Sequence, residues 1–378
     1  METIKTMFNY LDKYGNKSWD ERPMSNEDLA VFSQIIYTQF EDLELDRYQG
    51  LSLGEMNHMF FQDGKPFSSW DWAKSVLRLW TTLPQYSRFA SATLDNFYSI
   101  FKPELEEQFA AATFGLGKTA VIVFRGTDMS IVGWKEDFNM GYKAPLPCHI
   151  EAVKYINAEL PKYEKAYVVG QSKGGHLALY ASAYAEDKSR IVKILSLEGP
   201  GIDKKTYGAH WSEIKDKVEI LLPQTAIIGM TLGYGGNFTV VKSTAHGLLQ
   251  HNPFTWIIDD DHFRIDKLSH TSMYLYTILH DFVEGTSDED RGVFIRVFFR
   301  MTDSLEADDV ESLGKALLTN IKAPINVLME LDDKEKKVLK KLRRKIMSDT
   351  SESFKMMVDM DLYKISQKIE EEKERIKL

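Results

Sequence analysis

Residues 166–169 (AYVV) form a short continuous apolar run that passes directly into Gly170-Gln171-Ser172-Lys173-Gly174-Gly175. Beyond that turn, Leu177, Tyr180, Ala181 and Tyr184 recur at i, i+3, i+4 and i+7. A buried strand, a sharp glycine-rich turn and an amphipathic helix, in that order, predict a βα unit. Further apolar runs fall at 108–113, 119–124, 191–197, 218–222 and 238–241, with a helical stretch at 147–160. The alternation predicts an α/β protein with a mostly parallel sheet flanked by helices. Ahead of it, residues 1–50 read as an irregular start and then a helix capped by Ser25, with Asp28 three positions on. Residues 51–100, with Trp70, Trp72 and Trp80, read as helical. Beyond about Thr286 the strand signal stops, and Ser287 and Asp303 or Ser304 offer caps for charged helices. The expected division is a body of residues 1–285 and a helical C-terminal region of residues 286–378.

The turn at 170–175 carries the chemical signal. A serine on a tight strand-to-helix turn is held out at the carboxyl end of a sheet, and glycines around it remove Cβ atoms that would clash there. Ser172 is therefore the candidate nucleophile. A phosphate-binding loop is a poor fit, because the order G-x-x-x-x-G-K-[ST] is missing. A serine hydroxyl needs a base. Nine histidines are present. His58 and His149 precede the nucleophile, against the chain order Ser, acid, His. His176 sits in the helix after Ser172, and His210 in a helix-like stretch. His246 and His251 follow the strand at 238–241 in a loop, the expected place for a base, while His262, His270 and His280 are less well placed. Lys173 suggests a Ser–Lys pair, but adjacent residues on a turn point apart.

Composition narrows the function classes. Lys and Arg number 47 against 56 Asp and Glu, a net charge of −9, which argues against a general nucleic-acid binder. The single cysteine, Cys148, excludes an internal disulfide framework and a cysteine-based zinc cluster. No signal-peptide core and no run of 18 apolar residues is visible, so a cytoplasmic location without a transmembrane segment is expected. Asp259-Asp260-Asp261-His262 lacks metal-ligand spacing, and neither a metal nor a cofactor is expected. The basic run that begins at Lys334 and ends at Lys345 reads as a solvated helix face in preference to a peripheral membrane anchor, since no aromatic anchor accompanies it.

Gly170–Gly175 resembles the nucleophile elbow of class 3 lipases and related α/β-hydrolases. Phe124-Arg125-Gly126-Thr127, with Trp134, Asp137 and Phe138 after it, resembles their other shared segment. Taken together, FRGTD…GWKEDF…GQSKGG…LEGPG…HNPFTW is similar to a bacterial lipase-like family of unassigned function within that superfamily, over about residues 5 to 285. The resemblance implies Ser172 as nucleophile, Thr127 and the backbone N–H of Lys173 as oxyanion-hole donors, and favours His251 as base. Class 3 lipases usually carry an Asp after the next strand, where this chain has Leu-Leu-Pro-Gln-Thr-Ala at 221–226. Glu198, at the end of the strand 191–197, takes its place, as in lipases of the pancreatic type that place the acid one strand earlier. Asp259, Asp260 and Asp261 are fallbacks. Gln171 stands where lipases commonly have a histidine that supports the elbow. The implied activity is hydrolysis of a carboxylic ester, a small-molecule or lipid ester. The apolar runs at 227–232 and 254–258 suit an acyl pocket or a lid, although burial in the core is the more frequent fate of such runs. The alternatives are a degenerate fold used for binding, or a thioesterase or acyltransferase with the same nucleophile.

Overall fold

The computed structural model describes residues 4–349, apart from 39, 43–47, 63–70, 129, 202–205, 207, 232–237, 274–275, 277–284, 308–311, 314–315, 317–319 and 321. His280, the glycine-rich residues 233–236 and the charged residues 369–378 lie outside the described residues.

Helices come first: α1 (Met7–Tyr14), α2 (Asn26–Ile35), α3 (Leu53–Gln62), α4 (Asp71–Thr82) and α5 (Ser87–Ala90). The start of α2 is set by a reciprocal capping box. Ser25 Oγ accepts from the Asp28 N–H, and the Asp28 carboxylate accepts from the Ser25 N–H. Asp28 is also ion-paired at 2.6 Å with the fully buried Arg88 of α5, which ties the helices of this layer to one another.

Among the described residues the core is a seven-stranded sheet: β1 (Thr93–Lys102), β2 (Glu107–Leu116), β3 (Thr119–Phe124), β4 (Lys165–Gln171), β5 (Ile191–Leu197), β6 (Val218–Pro223) and β7 (Thr239–Val241). The spatial order follows the chain order, with β1, β2 and β3 antiparallel and β3 to β7 parallel. Strand β1 differs from the helical reading of residues 51–100. Its Thr, Phe, Tyr and Ile suit a pleated surface, and pairing along β2 decides the matter.

Between β3 and β4 run α6 (Ile131–Asn139) and α7 (Pro147–Glu159); α8 (Lys173–Tyr184) joins β4 to β5, and α9 (Trp211–Ile214) lies before β6. Every parallel step moves to the next strand in the same direction. Right-handed crossovers then place all the connecting helices on one face. Burial agrees: Ala111, Ile122, Phe124, Val168 and Ile194 pack with Ile156, Leu177 and Tyr180. The alternate residues, Ala110, Ala112, Val121, Val123, Val169 and Leu195, face the other way and pack with Leu29, Phe32 and Trp80 of the N-terminal layer. The fold is α/β, with a mostly parallel sheet between two helical layers. Of the apolar run at 254–258, Phe254, Trp256 and Ile258 are buried in the N-terminal core, the more frequent fate of such runs, and Phe254 stacks on Phe8.

C-terminal helices follow: α10 (Asp288–Asp303), α11 (Lys322–Met329) and α12 (Asp333–Asp349). Ser287 caps α10 by accepting from the Asp290 N–H. One side of α10 packs Val293 and Val297 on Leu331, Val338 and Leu342. The other reaches α6, where Phe138 stacks on Phe298 and Lys135 pairs with Asp303. Within the basic run, Lys334 and Lys341 pair with Glu289 and Asp290 in the first turn of α10. Among the described residues no helix is long and apolar enough to cross a membrane.

Candidate active site

The elbow is built by close approach. A Cβ on Gly170 would strike the Gly174 carbonyl, and one on Gly174 would strike the Phe124 carbonyl, so α8 presses directly on β3 and β4. Ser172 adopts φ +58°, ψ −133°, a conformation that residues with side chains rarely hold and that costs about 1–3 kcal/mol. Its neighbours fix it there: the Ser172 N–H donates to the Leu197 carbonyl at 3.0 Å, and its carbonyl accepts from the Gly175 N–H at 2.8 Å. Ser172 thus sits at the N-cap of α8. Among the described residues the N–H of Lys173 has no acceptor, as expected at the start of a helix.

Glu198 follows β5 with φ +45°, and its N–H donates to the Leu221 carbonyl. The side chain is buried. One carboxylate oxygen accepts from the Ile227 N–H at 2.9 Å, and the other lies 2.7 Å from His251 Nδ1. The structure therefore brings Glu198 and His251 together, 53 residues apart in sequence. Tryptophan Trp72 of α4 sets its ring edge-on against His251. Gln171 is fully buried. Its amide nitrogen lies 3.0 Å from His251 Nε2 and 3.0 Å from the His251 carbonyl oxygen, and its amide oxygen accepts from the Tyr37 hydroxyl. Among the described residues no hydrogen bond reaches the Ser172 hydroxyl.

The other histidines go elsewhere. His149 and His176 share a buried contact at 2.8 Å between their Nε2 atoms. His246 and His270 are exposed, and His262 pairs with Asp261 on the surface. Asp259 and Asp260 pair with Arg264 and Lys13 and do not touch His251. Among the described residues no cluster of His, Cys, Asp or Glu is placed to hold a metal ion.

The side chain of Lys173 turns away from Ser172, which removes the Ser–Lys pair. Its ammonium is fully buried and donates to the Gln108 carbonyl and side-chain oxygens, both at 2.6 Å, and to Glu136 at 2.9 Å. Glu136 also accepts from the N–H groups of Gln108 and Cys148. Next to it, Asp137 accepts from the Thr127 hydroxyl. The hydroxyl of Thr127 is thereby committed to Asp137. In the sequence Gln171 reads as a supporting residue and the Lys173 ammonium only as a partner for Ser172, while nothing there marks Tyr37 or Glu136. A lysine inside a glycine-packed turn, with two adjacent acids in the upstream segment, was the signal available for that ion pair.

Burial pushes the Asp137 carboxyl up to about 6, against the opposing pull of Lys173. A carboxyl raised on folding keeps a proton that the unfolded chain has lost, so its contribution to stability falls as pH rises from 3.8 to about 6 and is flat above. Burial drives His149 the other way, well below 6.5, and its contribution is lost as pH falls below that value. Comparison with Asp137→Asn separates the two. The stability of the variant relative to the wild type, from denaturant unfolding, is expected to climb across the Asp137 window; a difference independent of pH would reject this assignment.

Among solved structures, lipase II from Rhizopus niveus is 13% identical, with a TM-score of 0.34 over 64% of this chain and 82% of that one. A triacylglycerol lipase from Penicillium expansum is 13% identical, with a TM-score of 0.28 over 46% and 80%. The 2,6-dihydroxy-pseudo-oxynicotine hydrolase is 12% identical, with a TM-score of 0.26 over 74% and 97%. No curated protein matches the sequence. Residues 83–300, more than half of the chain, match the family described as Mbeg1-like, and the chain belongs to that family.

Proposed function

We propose that this protein is a cytoplasmic serine hydrolase that cleaves carboxylic esters, lipid esters among them, through an acyl-enzyme. The observation that carries the reading is the Glu198–His251 pair, held on its other side by Gln171, the residue before a serine in a strained conformation at the start of α8. His251 takes the Ser172 proton as the oxygen attacks the acyl carbon, then gives it to the leaving alcohol. Glu198 orients the imidazole and stabilises its protonated form. The backbone N–H groups of Lys173 and Thr127 meet the oxyanion, at about 3–4 kcal/mol per donor when measured by removal. Water then repeats the sequence on the acyl-enzyme. The mechanism uses protein groups alone. A thioester or another acyl acceptor would use the same groups.

A fluorophosphonate probe tests the proposal on the folded protein. The expected result is one covalent adduct at Ser172, located by peptide mass spectrometry. A folded chain that takes up no probe is a binding module on a hydrolase fold, and the proposal fails.

A further inference from the structure

The contact between Gln171 and His251 settles a proton position. A carbonyl oxygen only accepts hydrogen bonds, so the Gln171 atom 3.0 Å from the His251 carbonyl must be the amide nitrogen. Tyr37 agrees: burial pushes its phenol up, it keeps its proton, and it donates to the amide oxygen. The same amide nitrogen then donates to His251 Nε2, and an imidazole nitrogen that accepts carries no proton. The ring proton is therefore on Nδ1, directed at Glu198. That is the tautomer a general base needs. The nitrogen left to act as base, however, has one lone pair, and Gln171 holds it.

We propose that Gln171 is a positioning residue that selects the Nδ1–H form of His251 and occupies the Nε2 lone pair in the resting site. This inference rests on the serine hydrolase reading. Reaction begins when Ser172 O–H replaces the amide N–H at Nε2. The second N–H of the amide, on the His251 carbonyl, keeps the loop in place during the exchange, and Tyr37 keeps the amide from rotating away. Ester binding against Ser172 thus competes with a built-in donor, which restrains the serine until a substrate is seated.

Two measurements test this. In the unmodified protein, nitrogen NMR of histidine-labelled chain is expected to show His251 with its proton on Nδ1 and a hydrogen-bonded, unprotonated Nε2. A proton on Nε2 overturns the inference, whatever the chain does with esters. Second, Gln171→Met removes the competing donor at similar length and is expected to raise the rate of fluorophosphonate labelling of Ser172 about two- to tenfold, the worth of one net hydrogen bond. Gln171→Glu places an acceptor against Nε2, and its labelling is expected to be slow at neutral pH and to recover as the pH is raised. Unchanged or slower labelling in Gln171→Met, with no pH-dependent recovery in Gln171→Glu, overturns the inference. No labelling of Ser172 in any form overturns the hydrolase reading instead, and the NMR result stands apart from it.

Discussion

Ser172→Ala is expected to abolish fluorophosphonate labelling and to lower ester turnover by up to ~10⁶-fold, as in well-developed triads. In the proposed mechanism the serine oxygen bonds to the acyl carbon, so without it only water positioned in the site remains. His251→Ala is expected to fall to nearly the same floor, because a serine without a base is as inert as no serine. The double variant is expected to lose little more, since the two residues act as a unit. The residual activity, expected at roughly 10³–10⁴ over water, would measure what binding and the proposed donors, the N–H groups of Lys173 and Thr127, do alone. Hydrolysis of an activated aryl ester gives all three values. Turnover in Ser172→Ala equal to that of the wild type would assign the activity to other residues.

Lys173→Met is expected to destabilise the protein by about 3–5 kcal/mol, the loss that follows when one partner of a buried ion pair is removed. Lys173 and Glu136 are both almost fully excluded from water. Methionine fills a similar volume, so the loss comes from charge. Glu136 is left buried without its partner, and both Gln108 oxygens lose the Lys173 donor. Against a total of about 5–15 kcal/mol, such a loss unfolds a large share of molecules near physiological temperature. Adding Glu136→Gln to Lys173→Met is expected to recover part of the loss. Denaturant midpoints for the two single variants and the pair decide it. Single variants within about 1 kcal/mol of wild type would mean that water reaches this pair.

The pattern of apolar runs located β2, β3 and β4 because those strands are buried along most of their length, and continuous burial writes itself as continuous apolar sequence. It failed at β1. That strand lies at the sheet edge, with Tyr98 and Phe101 exposed, and only its pairing with β2 distinguishes it from the helices before it. The elbow was legible because its glycines are demanded locally. Glu198 came from the resemblance to lipases with an earlier acid, and the structure sets it against His251. Gln171, by contrast, looked like a supporting residue, because its meaning depends on Tyr37, 134 positions away, and on His251, 80 positions away. The Lys173 ammonium was hidden for the same reason. An adjacent lysine reads as a neighbour of the nucleophile until α6 supplies the acids that draw it away.

Winding the sheet in one direction has a consequence for biogenesis. The layer that covers the second face is made first, while its binding surface, through β7 at Val241, is made last. On a ribosome the apolar sides of α1, α2 and α4 emerge before any strand; β1 to β3 begin to cover them soon after, but the cover is completed only with β7 at Val241. Long-range closure of this kind is slow and leaves apolar surface open to other chains. The early helices therefore have to survive on their caps and on pairs such as Asp28–Arg88 until the strands arrive, and the nascent chain is most exposed to aggregation, and most in need of a chaperone, in that interval.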